Sequence, residues 1–165
     1  MSYPTRARYG LRLLVRLAIQ DDARHLSMAD IAQEEGVSVK YLEQIVTLLK
    51  PLGILQATRG AKGGYALVRD PAEIYLDKVF ASLGALDDPV PCFDDPTICA
   101  RVDICTTRPF WMQLDHRMRD YLSGTSLADV VAIAPQGGAE FDPEFSREAR
   151  AVGCDKGLGC AAPVK

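Results

Sequence analysis

The stretch from Ser27 to Val68 constrains this chain more than any other. Ser27 stands three residues before Asp30, a capping-box spacing that starts a short helix through Ile31 and Ala32, and Gly36 ends it. Ser38 caps a second helix, with Val37 and Leu42 at the two staple positions. That helix carries Leu42, Ile45, Val46 and Leu49 on one side and stops near Pro51-Leu52-Gly53. Two helices joined by a tight glycine-containing turn read as a helix-turn-helix. Ile54–Thr58 then reads as a strand, Arg59-Gly60-Ala61-Lys62-Gly63-Gly64 as a turn, and Tyr65–Val68 as the returning strand. A β-hairpin in that place is a wing.

Around this unit the periodicity supplies further helices. Leu11, Leu14, Val15 and Ala18 recur at helical spacing with Arg8, Arg12 and Arg16 on other faces, which predicts a first helix from Thr5 to about Gln20. Val79, Phe80 and Leu83 predict a helix over Leu76–Leu86, packing on the first. Residues 87–109 hold prolines and two aspartate pairs, a loop. Trp111, Leu114, Met118 and Tyr121 step by three, four and three residues, a seam that calls for a partner helix. Ser126 with Asp129 repeats the capping box for a short helix, Leu127 to Ala134. The expected fold is mainly α with a small β-hairpin. A winged helix-turn-helix domain spans 1–86, a cysteine-bearing loop 87–109, and a dimerisation helix with a short helix 110–134. A flexible, Gly- and Pro-rich tail is expected over 135–165.

Net charge is −3, which looks wrong for a nucleic-acid binder until it is divided along the chain. Residues 1–70 carry ten Lys/Arg against seven Asp/Glu, and residues 71–165 carry nine against fifteen. The basic excess therefore accompanies the helix-turn-helix. No run of 18 apolar residues exists, so no membrane partner is expected, and charges interrupt the N-terminal segment where a signal peptide needs an apolar core. A cytoplasmic protein with reduced, metallated or redox-active cysteines is the expectation. Two histidines and no nucleophile–base set, phosphate loop or carboxylate–histidine motif leave no enzyme chemistry to build.

On the second helix, the face opposite Leu42, Ile45 and Leu49 exposes Lys40, Tyr41, Glu43, Gln44 and Thr47. Gln44 can pair with adenine, and Glu43 can accept from the cytosine amino group in a major groove. Ser38 begins this face. Arg59 and Lys62 at the hairpin tip can enter a minor groove or hold phosphate, while Gly63-Gly64 let backbones approach closely. Arg6 and Arg8 would add DNA-backbone contacts. For any one residue a solvated helix surface is the competing reading; the helix-turn-helix with its wing is the stronger signal.

The loop after this unit carries Cys92, Cys99 and Cys105, at spacings of six and five residues. Such thiolates have the slack to wrap an iron–sulfur cluster, since soft sulfur matches iron. No tight CxxC pair of a zinc knuckle occurs among them. From the residues alone a cluster, zinc and plain thiols remain open.

Arg8-Tyr9, Tyr41-Leu42-Glu43-Gln44, Arg59-Gly60…Gly63-Gly64-Tyr65, the three cysteines, Trp111 and Ser126-Leu127-Ala128-Asp129 follow one another in an order that resembles the IscR/NsrR-type iron–sulfur winged-helix regulators. The resemblance covers about residues 1–134. It implies a homodimer on double-stranded DNA at an imperfect palindrome, with the long helices crossing as the dimer seam. It implies that Glu43 and Gln44 bear on base choice and that the wing enters the minor groove. It also implies an iron–sulfur cluster, 2Fe–2S or 4Fe–4S, on Cys92, Cys99 and Cys105, in a repressor or redox sensor answering to iron, oxidants or nitric oxide. The fourth ligand departs from the pattern. Some relatives use a histidine three residues after the third cysteine, where this chain has Arg108; others use an aspartate near the first helix, but no Asp or Glu precedes Asp21. His116 reads as structural or exposed, and His25 as a surface residue. Cys154 and Cys160 form a second pair that either reaches back or stays unligated. The alternatives are a cluster-free regulator with a thiol/disulfide switch and, from another class, an electron-transfer or cluster-carrier protein.

Overall fold

A computed structural model describes residues 4–20, 25–58, 60, 63–86, 90, 92–93 and 95–134. The tail at 135–165, with Cys154 and Cys160, lies outside the described residues, as do Arg59 and Lys62. The architecture is mainly helical with one two-stranded antiparallel hairpin.

Helix α1 (Thr5–Ile19) lies at the centre and packs against α2 (Met28–Glu35), α3 (Val39–Leu49), the second hairpin strand and the last helix. Its buried stripe is Ala7, Gly10, Leu13, Leu14 and Leu17, with Leu11, Val15 and Ala18 at the margins. The stripe is therefore wider than the expected one, because α1 is covered from several sides. Arg12 reaches Glu35 at 2.9 Å and Arg16 reaches Glu34 at 2.8 Å, so these cations tie α1 to α2.

Local capping sets the helix-turn-helix. Ser27 Oγ accepts from the Ala29 and Asp30 amides at 3.1 and 3.4 Å. Gly36 ends α2 at φ 64°, a left-handed conformation that an L side chain rarely adopts, and its amide bonds back to the last turn. Ser38 Oγ then accepts from Tyr41 N at 3.2 Å to start α3. Leu42, Ile45, Val46 and Leu49 all bury, and Val37 packs against the same core. After a 3-10 turn at Lys50–Leu52, strands β1 (Leu55–Thr58) and β2 (Gly64–Leu67) pair with Thr58 opposite Gly64 and Leu55 opposite Leu67.

Helix α4 (Leu76–Ser82) is one turn shorter than the periodicity predicts, because Gly84 at φ 59° ends it. Leu83 seats on Gly10 of α1 so closely that a Cβ there would lie 2.6 Å from Leu83 Cδ1. Helix α5 (Arg108–Ser123) follows the cysteine loop, and α6 (Leu127–Ile133) returns to α1. The return is stitched by backbone bonds from Leu76 N to Thr125 O (3.0 Å) and from Leu127 N to Ile74 O (2.8 Å). Leu122 and Leu127 bury in the same core as α1 to α4.

The Ser126–Asp129 capping box is complete: the Ser126 amide and hydroxyl donate to Asp129 Oδ2 at 2.8 and 2.7 Å, and Asp129 N donates to Ser126 Oγ at 3.2 Å. The Ser126 hydroxyl, and then its amide, hold the Asp129 carboxyl below its ordinary range. This contribution to stability is present above the unfolded carboxylate pKa of about 3.9 and is lost as pH falls through the lowered folded value. Ser126→Ala is expected to cost about 1 kcal/mol at neutral pH and to narrow the gap from wild type in strong acid. Urea melts at pH 7 and pH 3 check it; equal losses at both would separate the cap from the Asp129 charge.

Candidate DNA interface and cysteine loop

The buried side of α3 leaves Lys40, Glu43, Gln44 and Thr47 exposed on the other. Thr47 Oγ1 donates back to the Glu43 carbonyl at 2.8 Å, which engages that hydroxyl within its own helix. Glu43 and Gln44 have no side-chain partner among the described residues, so their polar ends face outward unspent. Tyr41 is half-buried and meets the Tyr9 ring edge-on at 5.9 Å, while Arg12 lies over Tyr9 at 5.5 Å. Tyr41 therefore braces α3 against α1 with much of its surface covered. Ser38 is exposed, with its oxygen committed to the cap.

Two expected DNA-backbone contacts have other surroundings. Arg6 donates Nε to the Leu83 carbonyl and Nη2 to the Gly84 carbonyl at 3.2 Å, satisfying the end of α4 across 77 residues of sequence. Two of its five donors thus serve the fold. Arg8 is exposed but lines an apolar groove between α1, α4, α5 and α6, along with Phe80, Met118 and Tyr121; the groove has a volume of about 710 Å³.

In the wing, Gly63 N donates to Gly60 O at 2.9 Å, closing the turn. Gly64 answers a constraint inside the protein: a Cβ there would fall 2.2 Å from the Leu26 carbonyl oxygen. Leu26 pairs with Tyr65, and His25 Nε2 hydrogen-bonds Thr58 Oγ1 at 2.8 Å. Sequence reasoning placed His25 merely on the surface. The partners are 33 positions apart in sequence, and no periodicity between them reveals this bond.

The three cysteines are half-exposed free thiols. Cys99 and Cys105 each follow a 3-10 turn, Pro96–Ile98 and Val102–Ile104, and both have extended backbone. Asp95 caps the first turn, accepting from Thr97 N at 2.9 Å. Ile98 and Ile104, the residues before the two cysteines, stand exposed, Ile104 at 71%. The Thr107 hydroxyl, 3.5 Å from Cys105 Sγ, is the main cause holding the Cys105 thiol below its ordinary value, helped by the Thr107 and Arg108 amides and by Arg101.

Among the described residues, no three His, Cys, Asp or Glu side chains stand together as a metal site. The donor chemistry nevertheless fits an iron–sulfur cluster. The thiols are soft and in no disulfide, and Arg108, three residues after Cys105, has a buried side-chain nitrogen, Nε, without a partner among the described residues. The Arg108 guanidinium lies 6.0 Å over the ring of Phe93, the neighbour of Cys92 in sequence, while the Arg108 backbone amide bears on Cys105. His116 is exposed, 3.2 Å from Asp120 and away from the thiols in sequence.

On the expected seam of α5, Trp111, Leu114 and Met118 are half-buried and Tyr121 is 66% exposed. Leu122, outside that seam, is the residue α5 buries in the core. Phe110 and Met112 also stand exposed, and no helix among the described residues is long and apolar enough to cross a membrane.

Comparison with known proteins identifies the arrangement. Residues 3–133 match the Rrf2 family, described as an iron-dependent transcriptional regulator. The chain is 34% identical over 146 residues to protein rrf2 of Nitratidesulfovibrio vulgaris, covering 87% of this chain and 97% of that one. It is 28% identical over 153 residues to the transcriptional regulator IscR of Klebsiella pneumoniae, covering 91% and 93%. Among solved structures, CymR, the global cysteine regulator of B. subtilis, superposes with a TM-score of 0.67 at 28% identity over 82% of this chain and 99% of that one. IscR of T. potens gives 0.65 at 25% identity over 88% and 96%. With its helix-turn-helix, wing and cysteine loop in this order, the chain belongs to the Rrf2 family of winged-helix transcriptional regulators.

Proposed function

We propose that this protein is a cytoplasmic homodimer that binds an imperfect palindrome in double-stranded DNA and adjusts its affinity through an iron–sulfur cluster held by Cys92, Cys99 and Cys105. The observation that carries the reading is the set of three free, half-exposed thiols on the one loop that runs directly into α5. The iron-dependent description of the family and the relatives named IscR support it. Bound there, the cluster supplies a centre sensitive to redox state and to small ligands.

What the chain does follows from its own contacts. Cys99 and Cys105 directly follow the two 3-10 turns, so ligation by the three thiolates would fix those turns relative to the start of α5. Arg119 donates to the Leu86 carbonyl at 3.1 Å and Leu122 sits in the core, so a shift at the loop reaches the winged domain along α5. The exposed Tyr121 and the adjoining groove give that helix a face for a second copy, which sets the distance between the two α3 helices. The two loop states change DNA affinity only by the difference in free energy with which each stabilises the binding-competent spacing.

A second reading keeps DNA binding and replaces the cluster with a thiol/disulfide switch. The lowered Cys105 thiol favours it, and so does the likeness to CymR of Staphylococcus aureus in its oxidised form, with a TM-score of 0.65 at 29% identity over 82% of this chain and all of that one. Anaerobic purification with a visible spectrum and iron and sulfide quantitation decides between them. Cluster absorbance in the wild type, absent from the triple Cys92/Cys99/Cys105 alanine variant, is the expected result. A colourless, iron-free protein that resists reconstitution would leave the thiol switch.

A further inference from the structure

We infer that His25 is a positioning residue for DNA binding, holding the end of β1 and with it the wing in place for its contact with DNA; the inference rests on the reading of the wing as a DNA contact. Thr58, whose hydroxyl His25 Nε2 meets at 2.8 Å, is the last residue of β1 and directly precedes Arg59. The next residue, Leu26, exchanges two backbone hydrogen bonds with Tyr65 of β2, at 3.1 and 2.9 Å. Thr58 and Gly64 face each other across the hairpin, so His25 and Leu26 grip both strands at the end nearest the turn. The contact at Gly64 leaves no room even for a methyl group.

This grip is continuous with the helix-turn-helix. Ser27, the residue after Leu26, caps α2, so three consecutive residues link the wing to the start of that helix. The wing needs such a tether. A two-stranded hairpin is marginal alone, and Gln56, Ala57 and Thr58 are exposed, so the core does not hold the distal half of β1. His25 is itself exposed and contributes nothing to the core. Its loss therefore acts on where the wing points and leaves the fold intact.

The test uses the full-length protein and a duplex that the wild type selects from a random-sequence pool, with affinity read by fluorescence anisotropy. His25→Ala is expected to weaken binding about five-fold, the factor that one modest hydrogen bond commands. The thermal midpoint should shift by less than about 2 °C. Thr58→Val should give the same loss, and the two together no more. His25→Gln, which keeps a polar group within reach of Thr58, should recover most of the affinity. In an Arg59→Ala background, His25→Ala should cost nothing further, because the contact it positions is gone. Full affinity in His25→Ala, or a loss that adds to that of Arg59→Ala, overturns the inference. Unchanged binding by Arg59→Ala alone removes the wing from the interface, and the inference falls with that reading.

Discussion

Anaerobically purified Cys99→Ala protein is expected to be colourless, with iron and sulfide near background, while remaining folded. Cys99 is the middle of the three thiols and sits between two short turns that use its backbone, through Val102 N donating to Cys99 O at 3.1 Å, but not its side chain. The turn before it is held by Asp95, which accepts from the Thr97 amide and hydroxyl at 2.9 and 2.6 Å. Removing one sulfur therefore leaves the local backbone in place, and a half-exposed site of this kind changes stability by no more than about 0.5 kcal/mol. The donor set suffers far more. On the proposed cluster reading, with three thiols and no further described ligand beside them, loss of one would leave two, too few to retain iron.

The same variant separates sensing from reading. If the loop state biases the dimer spacing, cluster-free protein should differ from wild type in operator affinity by about 5- to 150-fold, the usual span of allosteric coupling. An unchanged visible spectrum would remove Cys99 from the ligand set. A lost spectrum with unchanged DNA affinity would keep the cluster and end the switching mechanism.

The parts of the fold that were legible are those fixed by short-range chemistry. Ser27, Gly36 and Ser38 act within four residues of themselves, and the structure has each where the spacing demanded. The Ser126–Asp129 box is of the same kind. What the sequence hid depends on chain segments that meet from far apart. Arg6 looks like a free cation until Leu83 and Gly84 arrive from the end of α4. Gly64 looks like a concession to DNA until Leu26 is seen against it. On α5 the three-four-three stepping picked out Trp111, Leu114, Met118 and Tyr121, but the intrachain core takes Leu122, four residues after Met118 where the seam takes the residue three after it. The cysteine spacing showed which donors share a loop, and it did not show that Thr107 and Arg108 bear on the third of them.

Gln44→Ala is expected to relax base preference at one position in each half-site by about 1–3 kcal/mol, with little change in affinity for a random duplex. Gln44 lies on the face of α3 opposite its four buried residues, and no described group competes for its amide. A side-chain amide reads adenine through two bonds in the major groove, so its removal discards discrimination and leaves phosphate contacts untouched. Lys40→Ala should do the reverse: affinity falls on every sequence alike, and the slope of log K against log salt drops by about one phosphate equivalent. Glu43→Ala supplies the control of sign. Losing a carboxylate beside the DNA strengthens binding to random duplex, while any preference for cytosine at its position disappears. Parallel selections from a random pool, with salt titrations for each variant, measure all three. Should Gln44→Ala select the same bases as wild type with undiminished preference, α3 does not read DNA through this face.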